Sequence, residues 1–402
     1  MTAKPDRPRV SRDVILVGWV SFFNDVASEM IYPLLPMFVV LVLGASATSL
    51  GWVEGVAQAV VALLAAWTGW HSDRIRRRLP YVQVGYGLPV VGRIVLVAAV
   101  AWPMVLIGRT IDRIGKGIRS SPRDALIADA STPETRGRAF GLHRAMDSAG
   151  AVVGVVLSAV LVGALGASSP GAFRIVFAVA AALGLVAVVF TFMLREPASQ
   201  GKPHDDAPPS MDATFSRRYW VVLAVLLVFS LANSSDTFLL LRAQQVGLEP
   251  WAVVVAYAVF STVYMAVSYP AGVLSDRIGR WPLILIGWAI YVGVYAAIGF
   301  TGSVGIWPLL AMYGVYIALT DGVAKALLVD SAPRERRGLA LGIYYTAMAG
   351  TTLVSSVAAG VLWDRVGSSA TFVVGALTAG VALVAAVLVR PWRKTEPRSR
   401  SL

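Results

Sequence analysis

Residues 69–78 read GWHSDRIRRR, and residues 272–280 read GVLSDRIGR. Both contain Gly-x-x-Ser-Asp-Arg-Ile, and Asp73 and Asp276 lie 203 residues apart. A second pair follows each copy. Residues 128–141, ADASTPETRGRAFG, and residues 329–342, VDSAPRERRGLALG, share Asp, seven residues, Gly and then x-Ala-x-Gly, at an offset of 201. Two motifs in one order at nearly one offset mark a duplicated chain, so the two halves are expected to fold alike.

Working outward from these copies, long apolar runs surround them. The chain is 57% hydrophobic and 14% charged over 402 residues, against about 45–50% and about 25% in soluble domains. Mean hydropathy is +0.69. Such runs, each near the roughly 20 residues that cross a bilayer, predict an all-α integral membrane protein. Twelve spans are expected, at 14–43, 49–70, 81–101, 104–128, 140–163, 172–194, 219–242, 251–273, 282–300, 306–329, 339–362 and 370–389. The fourth, with GRTIDRIGKGIRSSPRD, fails on hydropathy alone. The charge of the loops restores it. Arginine-rich segments precede the first span and follow the second, fourth, eighth and tenth, whereas GASATSL, GALGASSPG and GFTGSVG carry no charge. The positive-inside rule then places both termini in the cytoplasm, which requires an even number of spans. A bacterial-type inner membrane is the expected location.

The net charge of +12 would suggest nucleic acid in a soluble protein. Here it sits in short inter-span loops and orients the chain, so no nucleic-acid partner is expected. Residues 195–218, rich in Pro, Asp and Ser, read as a linker. The expected organisation is therefore a first six-helix bundle over 1–194, the linker, and a second bundle over 219–402. With no cysteine, disulfides and thiolate metal sites are excluded. His71, His143 and His204 are too scattered for a zinc site. The GKG at 115–117 lacks the spacing of a nucleotide loop. No cofactor is expected, and no enzyme motif is present.

These residues carry a family resemblance. Gly69-x-x-x-Asp73-Arg74 and Gly272-x-x-x-Asp276-Arg277 resemble the cytoplasmic loop signature of the major facilitator superfamily, with Arg76 where a glycine is usual. Arg109-x-x-Asp112-x-x-Gly115 is similar to the family's helix-4 arginine motif. Gly141-x8-Gly150-x3-Gly154 is similar to the helix-5 signature of drug:proton antiporters, with Val155 and Ser158 in place of its Pro and Gly. The resemblance implies two pseudo-symmetric six-helix bundles, with helices 1, 4, 7 and 10 facing a central cavity. It also implies a monomer moving a small molecule or ion by alternating access. Asp73 and Asp276 are expected to latch the halves together on the cytoplasmic side.

Ionisable residues fall on those four helices: Asp25 and Glu29 on the first, Arg109, Asp112, Arg113 and Lys116 on the fourth, Asp236 on the seventh, Asp321 and Lys325 on the tenth. Elsewhere the exceptions are Glu54, Arg93, Arg144 and Asp147. A charge inside a membrane is costly unless it is paired or used. Asp25 and Glu29, four apart, share a helix face and repel when both are ionised, so together they are expected to hold and release a proton. The competing reading is a set of ion pairs that only hold helices together. Pro33 and Pro36 are expected to bend the first helix. Phe22, Phe23, Met30, Tyr32, Met37, Phe238, Tyr313 and Tyr316 offer either an adaptable pocket or helix packing. The expected activity is proton-coupled export of a small organic compound. A divalent metal held by Asp25, Glu29 and Asp236 is the alternative, and the basic stripe of helix 4 keeps an organic anion open.

Overall fold

Prolines and polar residues, rather than hydropathy, decide where the helices of this chain bend and break. The computed structural model describes residues 11–75, 77–132, 135–166, 169–196, 215–333 and 337–389, and among these there is no strand. The helices are α1 (Arg12–Val42), α2 (Ala47–Ile75), α3 (Leu79–Val97), α4 (Trp102–Asp129), α5 (Arg136–Leu165) and α6 (Pro170–Thr191). The second half holds α7a (Arg217–Ser230) and α7b (Thr237–Gln245), α8 (Pro250–Ile278), α9 (Arg280–Ile298), α10 (Ile306–Asp330), α11 (Arg337–Arg365) and α12 (Ser368–Val389). With α7a and α7b counted as one, these are the twelve expected spans, in an all-helical membrane fold. Most of the expected linker, 197–214, lies outside the described residues.

Ten of the helices are long and apolar enough to cross a membrane; α4 and the two parts of α7 are not among them. In α4 the cause is its charges. They are tolerated because they turn inward: Arg109, Asp112, Arg113 and Arg119 are all buried. Close approach of α3 makes this possible. Gly92 lies against the Gly108 carbonyl, where a Cβ would come within 2.4 Å, so the two backbones meet as small residues allow in membranes.

The seventh span departs from expectation. A continuous helix over 219–242 is interrupted between Ser230 and Thr237. Residues 231–236, LANSSD, are rich in side chains that compete for backbone hydrogen bonds. The freed groups find partners on neighbouring helices: Tyr291 donates to the Ala232 carbonyl at 2.8 Å, Ser355 donates to the Asn233 carbonyl at 3.0 Å, and the Ser235 amide donates to Ser356 at 3.2 Å. Where a bend was predicted in α1 the helix changes its hydrogen-bonding pattern. Tyr32–Leu34 forms a 3-10 turn and Phe38–Val42 a π turn, where Pro33 and Pro36 remove backbone donors from the ladder.

Within the first half α1 packs on α5 and α6, α3 on α4 and α6, and α2 on α4; in the second, α10 packs on α8 and α9, and α12 on α9. The halves meet along α2 with α11 and along α5 with α8. At the end of the molecule opposite the arginine-rich loops the first of these seams is very close. A Cβ on Gly51 would lie 2.3 Å from the Ser356 carbonyl, and one on Gly360 would lie 2.5 Å from the Ala47 carbonyl. Gly360→Ala is therefore expected to hold α2 and α11 apart. An overpacking cost of about 1–3 kcal/mol translates into about ten-fold faster maleimide labelling of a cysteine placed at the fully buried Leu50. An unchanged labelling rate would show that the seam gives way elsewhere.

Candidate substrate and proton site

The residues of α4 that share one side at three- and four-residue spacing form the densest charge network among the described residues. Arg109 donates through Nη2 and Nε to Glu54 of α2, at 2.8 and 3.1 Å. Both are buried, Glu54 completely. Asp112 sits among three guanidinium groups, with Arg113 Nε at 3.3 Å, Arg109 Nη1 at 3.8 Å and Arg93 Nη2 of α3 at 3.8 Å. Arg93 also donates to Ser28 at 2.9 Å and to the Asn24 side chain at 3.1 Å. The network thus ties α1, α2, α3 and α4 together. Arg119 donates to the Gly85 carbonyl and lies over the Tyr86 ring at 4.5 Å, a cation–π contact. Lys116 is exposed although it stands in the middle of α4.

The two carboxylates of α1 have different surroundings. The Asn24 amide donates to Asp25 Oδ1 at 3.1 Å, and Asp25 lies within electrostatic reach of Asp147, Arg119 and Lys116. Glu29 turns across the molecule: Tyr257 of α8, on the other half, donates to Glu29 Oε2 at 2.9 Å. The Tyr32 and Tyr257 rings meet at 5.5 Å beside it. Asp147 of α5 lies 3.6 Å from His143 Nε2, and the same nitrogen is 2.8 Å from Ser21 Oγ, itself 2.8 Å from the Tyr86 hydroxyl.

In the second half, Asp236 lies at the α7 break, just before α7b, and accepts from the Tyr313 hydroxyl at 2.7 Å. Asp321 and Lys325 pair at 2.7 Å along α10, with Tyr264 of α8 donating to Asp321 at 3.4 Å. A cavity of about 360 Å³ runs from Asp321 and Tyr264 to Gly272, Asp276 and Arg280. Asp276 pairs with Arg280 at 2.6 Å, and Arg280 reaches Asp330 at 3.4 Å. The second motif copy thus braces α8, α9 and α10 within one half, and among the described residues Asp276 makes no ion pair with the first half in this conformation. Arg277 and Arg74 are exposed. The side-chain surroundings of Gly69 and Asp73 lie outside the described residues.

The carboxylates of the alternative metal reading, Asp25, Glu29 and Asp236, are not gathered in this conformation. Glu29 faces Tyr257 and Asp236 faces Tyr313, and among the described residues no three carboxylate or imidazole side chains gather as a metal site would need. Of the aromatic and methionine residues, Met30, Met37, Phe238, Tyr313 and Tyr316 are core. Tyr313 and Tyr316 pack with Tyr291 and Tyr295 in one aromatic cluster. Tyr32 stays half-buried, 5.7 Å from the Arg109 guanidinium.

Three features escape the sequence reading. Glu54 and Arg93 stand on spans expected to pack rather than line a cavity, yet they are the partners of the α4 charges. Tyr257 carries no signal, since a tyrosine in an apolar span looks like packing. The third was legible. Residues 360–367, GVLWDRVG, repeat Gly-x-x-x-Asp-Arg-x-Gly at the end of α11. There Asp364 crosses to the other half and accepts from the Ala47 and Thr48 amides at 2.9 and 2.8 Å and from the Thr48 hydroxyl at 2.5 Å.

Comparison with known proteins agrees with this architecture. The family model described as Major Facilitator Superfamily matches residues 17–324 and 309–402. A protein of Methanocaldococcus jannaschii named as an MFS-type transporter is 33% identical over 384 residues, covering 92% of this chain and 93% of the relative. Multidrug resistance protein MdtH of Salmonella typhi is 23% identical over 340 residues, covering 83% of this chain and 82% of its own. The crystal structure of nucleoside transporter NupG superposes with a TM-score of 0.79 at 11% identity, covering 94% of this chain and 100% of that one.

Proposed function

The chain belongs to the major facilitator superfamily, and from that premise we propose that it is a proton-coupled transporter exporting a small organic compound by alternating access. The observation that carries the proton part is the 2.9 Å hydrogen bond from Tyr257 to Glu29. Donor and acceptor belong to different halves, so rocking one half against the other must break it. Breaking it changes how the membrane interior holds the Glu29 charge, and proton transfer at Glu29 is thereby linked to the swing. Asp25, one turn away and without a cation within ion-pair distance among the described residues, is the second proton carrier. The outward direction is supported by the partial helix-5 signature and by the distant likeness to a multidrug resistance protein.

The same proposal includes the setting: a cell membrane of bacterial type, a single copy of the chain, and both termini cytoplasmic by the distribution of arginine. On that orientation several contacts between halves fall from mid-membrane outward: Glu29 with Tyr257, Leu35–Met37 with α7b, Gly360 with Thr48, and Asp364 with the start of α2. This supports a cytoplasm-facing conformation.

The test is internal pH in proteoliposomes under an imposed gradient, with organic cations and anions as one panel and ferrous, manganous, cobalt and nickel ions as another. Organic compounds are expected to move protons, and Glu29→Gln and Asp25→Asn to reduce that movement to the rate of empty liposomes while retaining a monodisperse elution profile. Undiminished pH-dependent flux in both variants would sink the proton assignment. Proton movement with metals alone would replace the organic substrate by a cation.

A further inference from the structure

We propose that Arg113 and Lys116 are the anion-binding end of the transport site and take the carboxylate of a small organic acid. This rests on the transporter reading above and names its substrate class. Three residues apart on α4, the two cations project to one side of the helix. Their partners do not balance them. Arg113 is 9% exposed, and its one ion-pair partner among the described residues is Asp112, which Arg93 and Arg109 share. Its Nε is buried without a hydrogen bond. A buried guanidinium whose one carboxylate is shared with two other arginines keeps donors that a bidentate carboxylate can engage.

Lys116 completes the site. No carboxylate of the described residues comes within the 4.0 Å of an ion pair. It is exposed although it stands in the middle of α4, one turn from the buried Arg113 and Arg119, so its ammonium is open to a ligand on the charged side of the helix. On this side of α4 the neighbouring arginines are buried, and the two acids beside them, Glu54 and Asp112, are already engaged by Arg109 and Arg113. Two neighbouring cations in a low-dielectric site repel one another, and an anionic group between them removes that cost. An organic cation would meet Lys116 instead.

Equilibrium binding to the purified full chain decides this, with three aromatic probes: benzoate, its neutral near-isostere benzamide, and the cation benzyltrimethylammonium. Benzoate is expected to bind at least about ten-fold more tightly than either of the others, as loss of a charge-assisted hydrogen bond implies. Lys116→Gln and Arg113→Gln are each expected to weaken benzoate about ten-fold, and Lys116→Arg to retain it. Lys116 is exposed, so its variant tests the site even where Arg113→Gln disturbs folding. Benzoate bound no more tightly than benzamide, a preference for the cation, or unchanged benzoate affinity in Lys116→Gln would overturn the proposal. Benzoate flux is measured separately: binding without flux would remove the transporter reading and leave the anion site standing.

Discussion

Asp364→Ala is expected to shift the chain from the conformation described here toward the one in which α2 and α11 separate. The carboxylate of Asp364 reaches across from the second half and caps the start of α2, engaging the Ala47 and Thr48 amides and the Thr48 hydroxyl at 2.9, 2.8 and 2.5 Å. Those amides are among the donors that a helix cannot satisfy by itself, and the positive end of the helix dipole adds to the attraction. The site is exposed to solvent, so the contact is worth about 1–2 kcal/mol. That is enough to change the ratio of two conformations about ten-fold. The absence of natural cysteine makes the measurement direct. Spin labels at Val100→Cys and Val366→Cys, both in exposed loops at the end opposite the arginine-rich face, should show a longer inter-half distance gaining population in the Asp364→Ala background. Asp364→Asn, which keeps one acceptor oxygen, should fall between. An unchanged distance distribution would mean that Gly51, Gly360 and their backbone contacts close this seam without the carboxylate.

The largest loss of stability is expected from Arg109→Leu. Glu54 is fully buried, its Oε1 is held by Arg109 and its Oε2 already lacks a partner. Removing the guanidinium strands that charge, at a cost of about 3–5 kcal/mol. In a thermal melt of the purified protein this corresponds to a fall of about 5–10 °C. The double variant Arg109→Leu with Glu54→Leu removes both charges and should recover most of the loss. A double variant as unstable as the single would show that Arg109 is held mainly by Asp112 and by packing against Tyr32. The two variants also separate roles: a stable double variant that fails to transport would give Arg109 a part in the cycle beyond holding α2 to α4.

Membrane character, the number of spans and the duplication followed from composition, loop charge and repeated motifs, because each of these is written along the chain at fixed spacing. Even α4, too charged for any hydropathy test, was recovered by the parity of the arginine-rich loops. The change of hydrogen-bonding pattern in α1 was legible from Pro33 and Pro36, since a missing backbone donor acts locally. The residues of α4 were legible as a charged stripe for the same reason. Their partners were not. Whether Arg109 meets Glu54, whether Asp112 is shared by Arg93 and Arg113, and whether Glu29 meets Tyr257 depend on how α2, α3 and α8 rotate against α4 and α1, and those contacts span tens to hundreds of residues. The break in α7 likewise required α9 and α11, whose hydroxyls hold the freed backbone groups. Local sequence determined which charges enter the membrane. Packing between helices decided which of them are neutralised within the protein and which, like Lys116, are left exposed.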